Sequence, residues 1–222
     1  MVGLDCHTIT FPHHADGYAH RGATDASWED PGMASPQTLS EPDRRLVAAW
    51  AADCAEQVLW IFEAEAPGDD RLYASIARTR AFARGELDVA DEIRRRFDGG
   101  GAAHEVGVPA AAAAARAAGQ AAAVCHMGAH ALGAAAYAAK AVALAAPDQD
   151  AAVRKEIRWQ LDRMSAPVRS ALRLLPPVGE NTSGPLGPGL LACGVLGEVI
   201  RELQAGLRTG PGCAGPVWSA CA

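Results

Sequence analysis

Aromatic side chains are scarce in this chain: Phe, Trp and Tyr make up 5% of its 222 residues, although half of the sequence is hydrophobic. Much of that half is alanine, which buries little area per residue. Such a core cannot rest on large side chains and needs close approach of one helix backbone to another. Strand patterns are missing too. Outside the first ten residues no run alternates β-branched with polar residues, so the fold class is all-α. No run of 18 or more strongly apolar residues occurs. The alanine-rich stretch 110–146 carries Arg116, Gln120, two histidines and Lys140, which argues against a membrane span. The start of the chain has neither the basic nor the continuous apolar part of a secretory signal. A cytoplasmic protein with reduced thiols is therefore expected.

Positive charge is also in deficit, with 20 Lys and Arg against 26 Asp and Glu, a formal net charge of −6. Non-specific nucleic-acid binding needs a basic face, and so is not expected. The densest basic run, EIRRRF (92–97), is short and mixed and reads as a solvated helix face. The six cysteines are Cys6, Cys54, Cys125, Cys193, Cys213 and Cys221, and no two stand at zinc-ribbon spacing. Cys54 and Cys125 fall on expected helices as buried thiols. Glycine-rich phosphate loops, the G-x-S-x-G elbow and the dense acidic cluster of a two-metal nuclease are all absent from the sequence. No cofactor is expected.

What is present is helical periodicity. Residues 1–38, rich in Gly, Pro, Ser, Asp and His, read as an irregular tail holding His7, His13, His14 and His20. Ser40 is a good N-cap for a helix running to about Ala64, with Leu46, Val47, Trp50, Cys54, Val58, Ile61 and Phe62 as its apolar stripe. A second helix spans about 70–84 and stops at Gly85. A third runs from near Asp88 to Phe97, where DGGG weakens or ends it. Pro109 opens the alanine-rich segment, which reads equally well as one long rod or as two helices broken near Gly128. Helices at 150–164, with Trp159 in the core, and after Ser165 follow. The Gly/Pro-rich stretch 176–189 reads as a loop or linker before a last amphipathic helix at 190–207 and a tail. The expected architecture is a bundle of about six or seven antiparallel helices. Its expected division is a tail (1–38), a helical domain (39–175) and a linker, helix and tail (176–222).

Four side chains interrupt the alanine run: His126, His130, Tyr137 and Lys140. At about 100° per residue, His130 and Tyr137 lie about 40° and 20° to one side of His126, and Lys140 about 40° to the other. They share one narrow face of a continuous helix; with a break near Gly128, His130, Tyr137 and Lys140 still do. A solvated face would carry many Glu, Lys and Arg, and a buried one Leu and Val. Groups that titrate, donate and accept suggest either a structural polar network or a small-molecule pocket with acid/base capacity. Asp53, Glu56 and Trp60 on the first helix, Arg80 and Arg84 on the second, and Glu86 just beyond it are the candidate ligand-binding partners. Two histidines four apart supply two metal ligands at most, and the glutamate of H-E-x-x-H is missing, so no metal site is assigned.

Three segments in order, W-A-A-D-C-A-E (50–56), R-A-F-A-R-G-E (80–86) and H-x-x-x-H-A-L-G-A-A-x-Y-A-x-K (126–140), make the chain resemble a small all-helical bacterial family labelled putative immunity proteins, over about residues 38–164. The resemblance implies a helical cytoplasmic domain that binds and neutralises a toxin in self-protection. The alternative is a small-molecule enzyme or resistance protein built on the His/Tyr/Lys stripe. The expected partner is accordingly a protein toxin or a small-molecule ligand, with a homo-oligomer left open.

Overall fold

The computed structural model describes residues 35–95 and 101–209, so the tails expected over 1–34 and 210–222 and the third-helix end expected at Phe97 lie outside the described residues. Ten α-helices and one 3-10 turn, with no strand among the described residues, establish the all-α class. They belong to one compact unit. None of the described helices is long and apolar enough to cross a membrane.

Local chemistry sets most helix ends. In α1 (Glu41–Gln57) the Ser40 hydroxyl accepts from the Asp43 amide at 3.2 Å, and Pro42 occupies the first turn. α1 does not run on to Ala64 as expected. At Val58, whose amide bonds back to the Ala55 carbonyl at 3.3 Å, the chain turns and starts α2 (Leu59–Glu65). α3 (Arg71–Ala83) closes with Gly85 at φ +81°. The Gly85 amide bonds to Phe82 O and the Glu86 amide to Ala81 O, each at 3.0 Å, a Schellman termination that favours glycine. α4 (Val89–Arg95) begins where Asp88 accepts from the amides of Ala90 and Asp91 at 2.8 and 3.2 Å. α5 (Ala102–Glu105) is a single turn that the sequence pattern did not suggest.

The alanine-rich segment takes the broken form. α6 (Pro109–Ala123) and α7 (His130–Ala145) are separated by a turn. The cause is tertiary: the amides of Gly128 and Ala129 bond to the carbonyls of Thr38 and Gln37 at 2.9 and 3.0 Å, so the strap leading into α1 holds the turn open. α6 and α7 make the most extensive helix contact in the structure, and every residue from Ala131 to Ala139 is buried.

α8 (Gln149–Arg163), capped by Asp148, packs on α7, and α9 (Ala166–Leu172), capped by Ser165, packs on α1. α8 turns Glu156, Ile157 and Gln160 inward, not Trp159, which is half-buried with the Arg163 guanidinium 5.1 Å over its ring. Leu46 likewise departs from its expected place and is exposed.

The Gly/Pro-rich loop at 176–189 is pinned by two buried amides. Gln37 donates to Ser183 O at 2.6 Å and accepts from the Leu186 amide at 2.9 Å. Gln204 donates to Pro176 O at 2.9 Å and accepts from the Val178 amide at 3.1 Å. Gly184, at φ +77°, leaves room for Gln37, since a Cβ there would lie 2.8 Å from the amide. The 3-10 turn Leu190–Ala192 then leads into α10 (Gly194–Arg208), which lays Leu196, Val199, Ile200, Leu203 and Leu207 against α7 and α8. Cutting the alanine rod, dividing the first helix and adding short turns explains why the helices outnumber the expected six or seven.

Candidate functional site

The candidate residues fall into separate groups. His130, Tyr137 and Lys140 stand on α7, whereas His126 sits in the turn before it. The two imidazoles nevertheless approach, with centroids 5.1 Å apart and planes tilted by 39°. The His126 Nδ1 lies 2.8 Å from the Ala123 carbonyl, which can only accept, so that nitrogen carries the proton in this contact. The His130 Nδ1 lies 2.9 Å from the Gln120 side-chain oxygen and donates in the same way. Both rings are half-buried, as is Lys140. Tyr137 is only 4% exposed, and burial pushes its phenol pKa up, a trend that Arg116 partly opposes. The buried phenol therefore stays protonated at neutral pH.

A second group joins α1 to α3. The Arg80 guanidinium spans Asp53 at 2.8 Å and Glu56 at 2.5 Å. Asp53 and Glu56 also edge a cleft of about 150 Å³ with Gln57, Trp159 and Arg163. Arg84 and Glu86 form a third group, an exposed pair at 2.6 and 2.7 Å around the end of α3, which lowers the Glu86 pKa. Trp60 stands apart from all of these, 58% exposed on α2. A larger cleft, of about 160 Å³, lies between α3, α4 and α6. Neither cleft is lined by His126, His130, Tyr137 or Lys140.

Several polar residues of the interior escaped the sequence pattern. Gln120 was legible in part, as the one glutamine between Pro109 and Pro147. Gln160 is fully buried: its amide donates to Ala135 O and to Glu156, each at 3.0 Å, and its backbone carbonyl accepts from the Trp50 indole at 3.0 Å. Burial pushes the Glu156 carboxyl pKa up, with Gln160 and Lys155 opposing. Beside it, burial first, then Glu156 and Asp53, push the Cys54 thiol pKa well up. Cys54 and Cys125 are both buried thiols. No group of three or more His, Cys, Asp or Glu poised for a metal occurs among the described residues.

Acidity is concentrated at one place. From Asp53 to Asp70 the chain carries Asp53, Glu56, Glu63, Glu65, Asp69 and Asp70 and no Lys or Arg. Arg80 and Arg71 reach three of these acids from α3, while Glu63 and Glu65 stay exposed on α2 beside Trp60.

A family model described as Imm-5 like putative immunity protein matches residues 37–167, more than half of the chain. No curated protein and no solved structure matches.

Proposed function

This chain belongs to the Imm-5 like putative immunity protein family, and we propose that it is an immunity-type binding protein, which neutralises a protein toxin by occlusion. The observation that carries the reading is the α2 face. An indole that is 58% exposed stands on α2 with the exposed Glu63 and Glu65 three and five residues after it, in a stretch without basic residues. A large exposed aromatic is a strong anchor for a partner. Carboxylates around it favour encounter with a basic surface and speed association at low salt. The interior stripe supports the same reading: Tyr137 is sealed, and the histidines are engaged by Ala123 and Gln120.

The competing reading, acid/base chemistry on a small molecule by His126, His130, Tyr137 and Lys140, draws its support from the nearness of the two imidazoles. One experiment separates the two. Tagged wild type, Trp60→Ala/Glu63→Lys and His126→Ala/His130→Ala are used to capture material from the native host, and proteins and small molecules are identified together by mass spectrometry. Under the occlusion reading, a basic protein is retained by wild type and by the histidine variant but lost from the α2 variant. Co-production with the chain then rescues growth from that protein. Loss of a metabolite from the histidine variant alone, with no protein retained by wild type, would instead establish the pocket. Trp60→Ala by itself is expected to weaken the partner about 30-fold, the scale of an interface hot spot.

A further inference from the structure

The cleft between α3, α4 and α6 lies apart from both features above, and it gathers cations on a chain whose net charge is −6. Its wall is one face of α3, where Arg71, Ser75, Arg78 and Thr79 recur at helical spacing. α4 adds Glu92 and Arg95, and the floor is Phe82, Ala121, Ala122 and Cys125. Among the described residues that line the cavity, three are arginines and one, Glu92, is acidic. Arg71 is drawn off to Asp69 and Glu105, at 2.6 Å each. Arg78 holds Glu92 at 2.9 Å, with the Glu92 side chain only 11% exposed. Arg95, exposed at the rim, makes no ion pair among the described residues. The Thr79 hydroxyl is spent on Ser75 O at 3.0 Å. The cavity therefore sets Arg95 beside a floor of methyl groups, one ring edge and a thiol.

We propose that this cleft binds a small organic anion, with its charged head set against Arg95 and its hydrocarbon body on the alanine floor. A guanidinium presents a planar fork of donors matched to carboxylate and phosphate oxygens. The size follows from the volume of about 160 Å³, since an apolar cavity of about 150 Å³ takes up benzene. A body of six to eight heavy atoms fits. This site is independent of the α2 face, and its test does not use a protein partner.

The probes are benzoate and phenyl phosphate, titrated into the ¹⁵N-labelled full chain and followed by amide shifts in α3 and at Ala121, Ala122 and Cys125. Saturable shifts are expected for at least one probe, with a Kd on the order of 1 mM, as befits about nine heavy atoms. The tighter of the two names the head group. Benzyl alcohol, which keeps the body, and acetate, which keeps the head, should each bind at least tenfold more weakly. Arg95→Gln removes an exposed charge, and Ala122→Leu fills the cavity from a half-exposed helix position. Both should retain the wild-type melting temperature and lose at least tenfold in affinity. Benzyl alcohol binding as well as benzoate would reduce the site to an apolar hole and overturn the proposal. So would the absence of saturable shifts for both anions, or binding that neither variant weakens.

Discussion

The helix pair α6–α7 and the C-terminal helix α10 meet the same interior by opposite means. α7 buries nine consecutive residues from Ala131 to Ala139, of which only Leu132 and Tyr137 are large. α10 buries a single stripe of Leu, Val and Ile and leaves its other face in solvent. An alanine contact gains little from area and depends on the fit of two backbones at short range. A leucine contact gains from area and tolerates change of shape if volume is kept. The alanine seam should therefore resist enlargement, and the leucine stripe truncation. α10 lies beyond the residues matched by the family model, yet it covers α7 and α8. Its stripe is as much a part of this core as the matched helices are.

The largest expected effect tests the stripe. Leu203→Ala, at a fully buried position of α10, should cost about 3 kcal/mol by opening a cavity, while Leu203→Met should cost less than about 1.5 kcal/mol. Urea denaturation of both variants checks the contrast. Next comes the seam: Ala138→Leu, fully buried on α7, should destabilise by about 2 kcal/mol through overpacking. An Ala138→Leu protein as stable as wild type would mean that the seam holds spare room, and the contrast with α10 would fail.

Much of this architecture was legible because its signals are local. Ser40, Asp88, Ser165 and Gly85 mark helix ends by what their own side chain or φ angle permits. The break between α1 and α2 was not legible, since Gln57, Val58 and Leu59 include no Gly or Pro. The turn at 124–129 was legible only as one of two options, because the groups that hold it, Thr38 O and Gln37 O, are about ninety residues away. The candidate site was the least legible part. Periodicity placed His130, Tyr137 and Lys140 on one helix, but a helical wheel cannot show that Arg80 takes Asp53 and Glu56 for itself. Nor can it reveal an inward Gln160 or Glu156, because a polar residue at a core position looks like surface. The same blindness put Trp159 in the core and hid the arginine cleft.

That buried polar pair sharpens the comparison from the α7–α8 side. Gln160 bonds to Ala135 O on α7, and its own side-chain oxygen is buried without a hydrogen-bond partner among the described residues. Glu156, beside it, has its pKa raised by burial. The folded state thus holds this proton more tightly than the unfolded chain does. The stabilisation is complete below the unfolded pKa and is lost as pH rises through the folded one. As pH rises above the ordinary carboxylate range the wild type progressively loses that stabilisation. Glu156→Gln keeps an acceptor for Gln160 and adds a donor, and should raise stability at about pH 7 by on the order of 1 kcal/mol. The gain should shrink as pH falls toward the ordinary carboxylate range, measured by urea denaturation across that interval. A gain independent of pH would mean that Glu156 is not the group responsible.

The smallest expected effect on stability falls at Gly133, where the seam and the histidine pair meet. A Cβ on Gly133 would come within 2.2 Å of the Gln120 side-chain oxygen and 3.1 Å of Leu191. The Gln120 side chain is flexible and can withdraw, which surrenders its 2.9 Å hydrogen bond with His130. Losing that bond costs about 1 kcal/mol, and replacing a mid-helix glycine by alanine returns a similar amount. Gly133→Ala should therefore remain within about 1 kcal/mol of wild type while moving the ¹⁵N resonance of His130 Nδ1, read from a histidine-labelled sample. Capture of the partner through the α2 face should be unchanged in the same variant. If this substitution abolished capture while leaving the fold intact, the histidine pair would be coupled to binding, and the separation of a packed interior from a recognising surface would no longer hold.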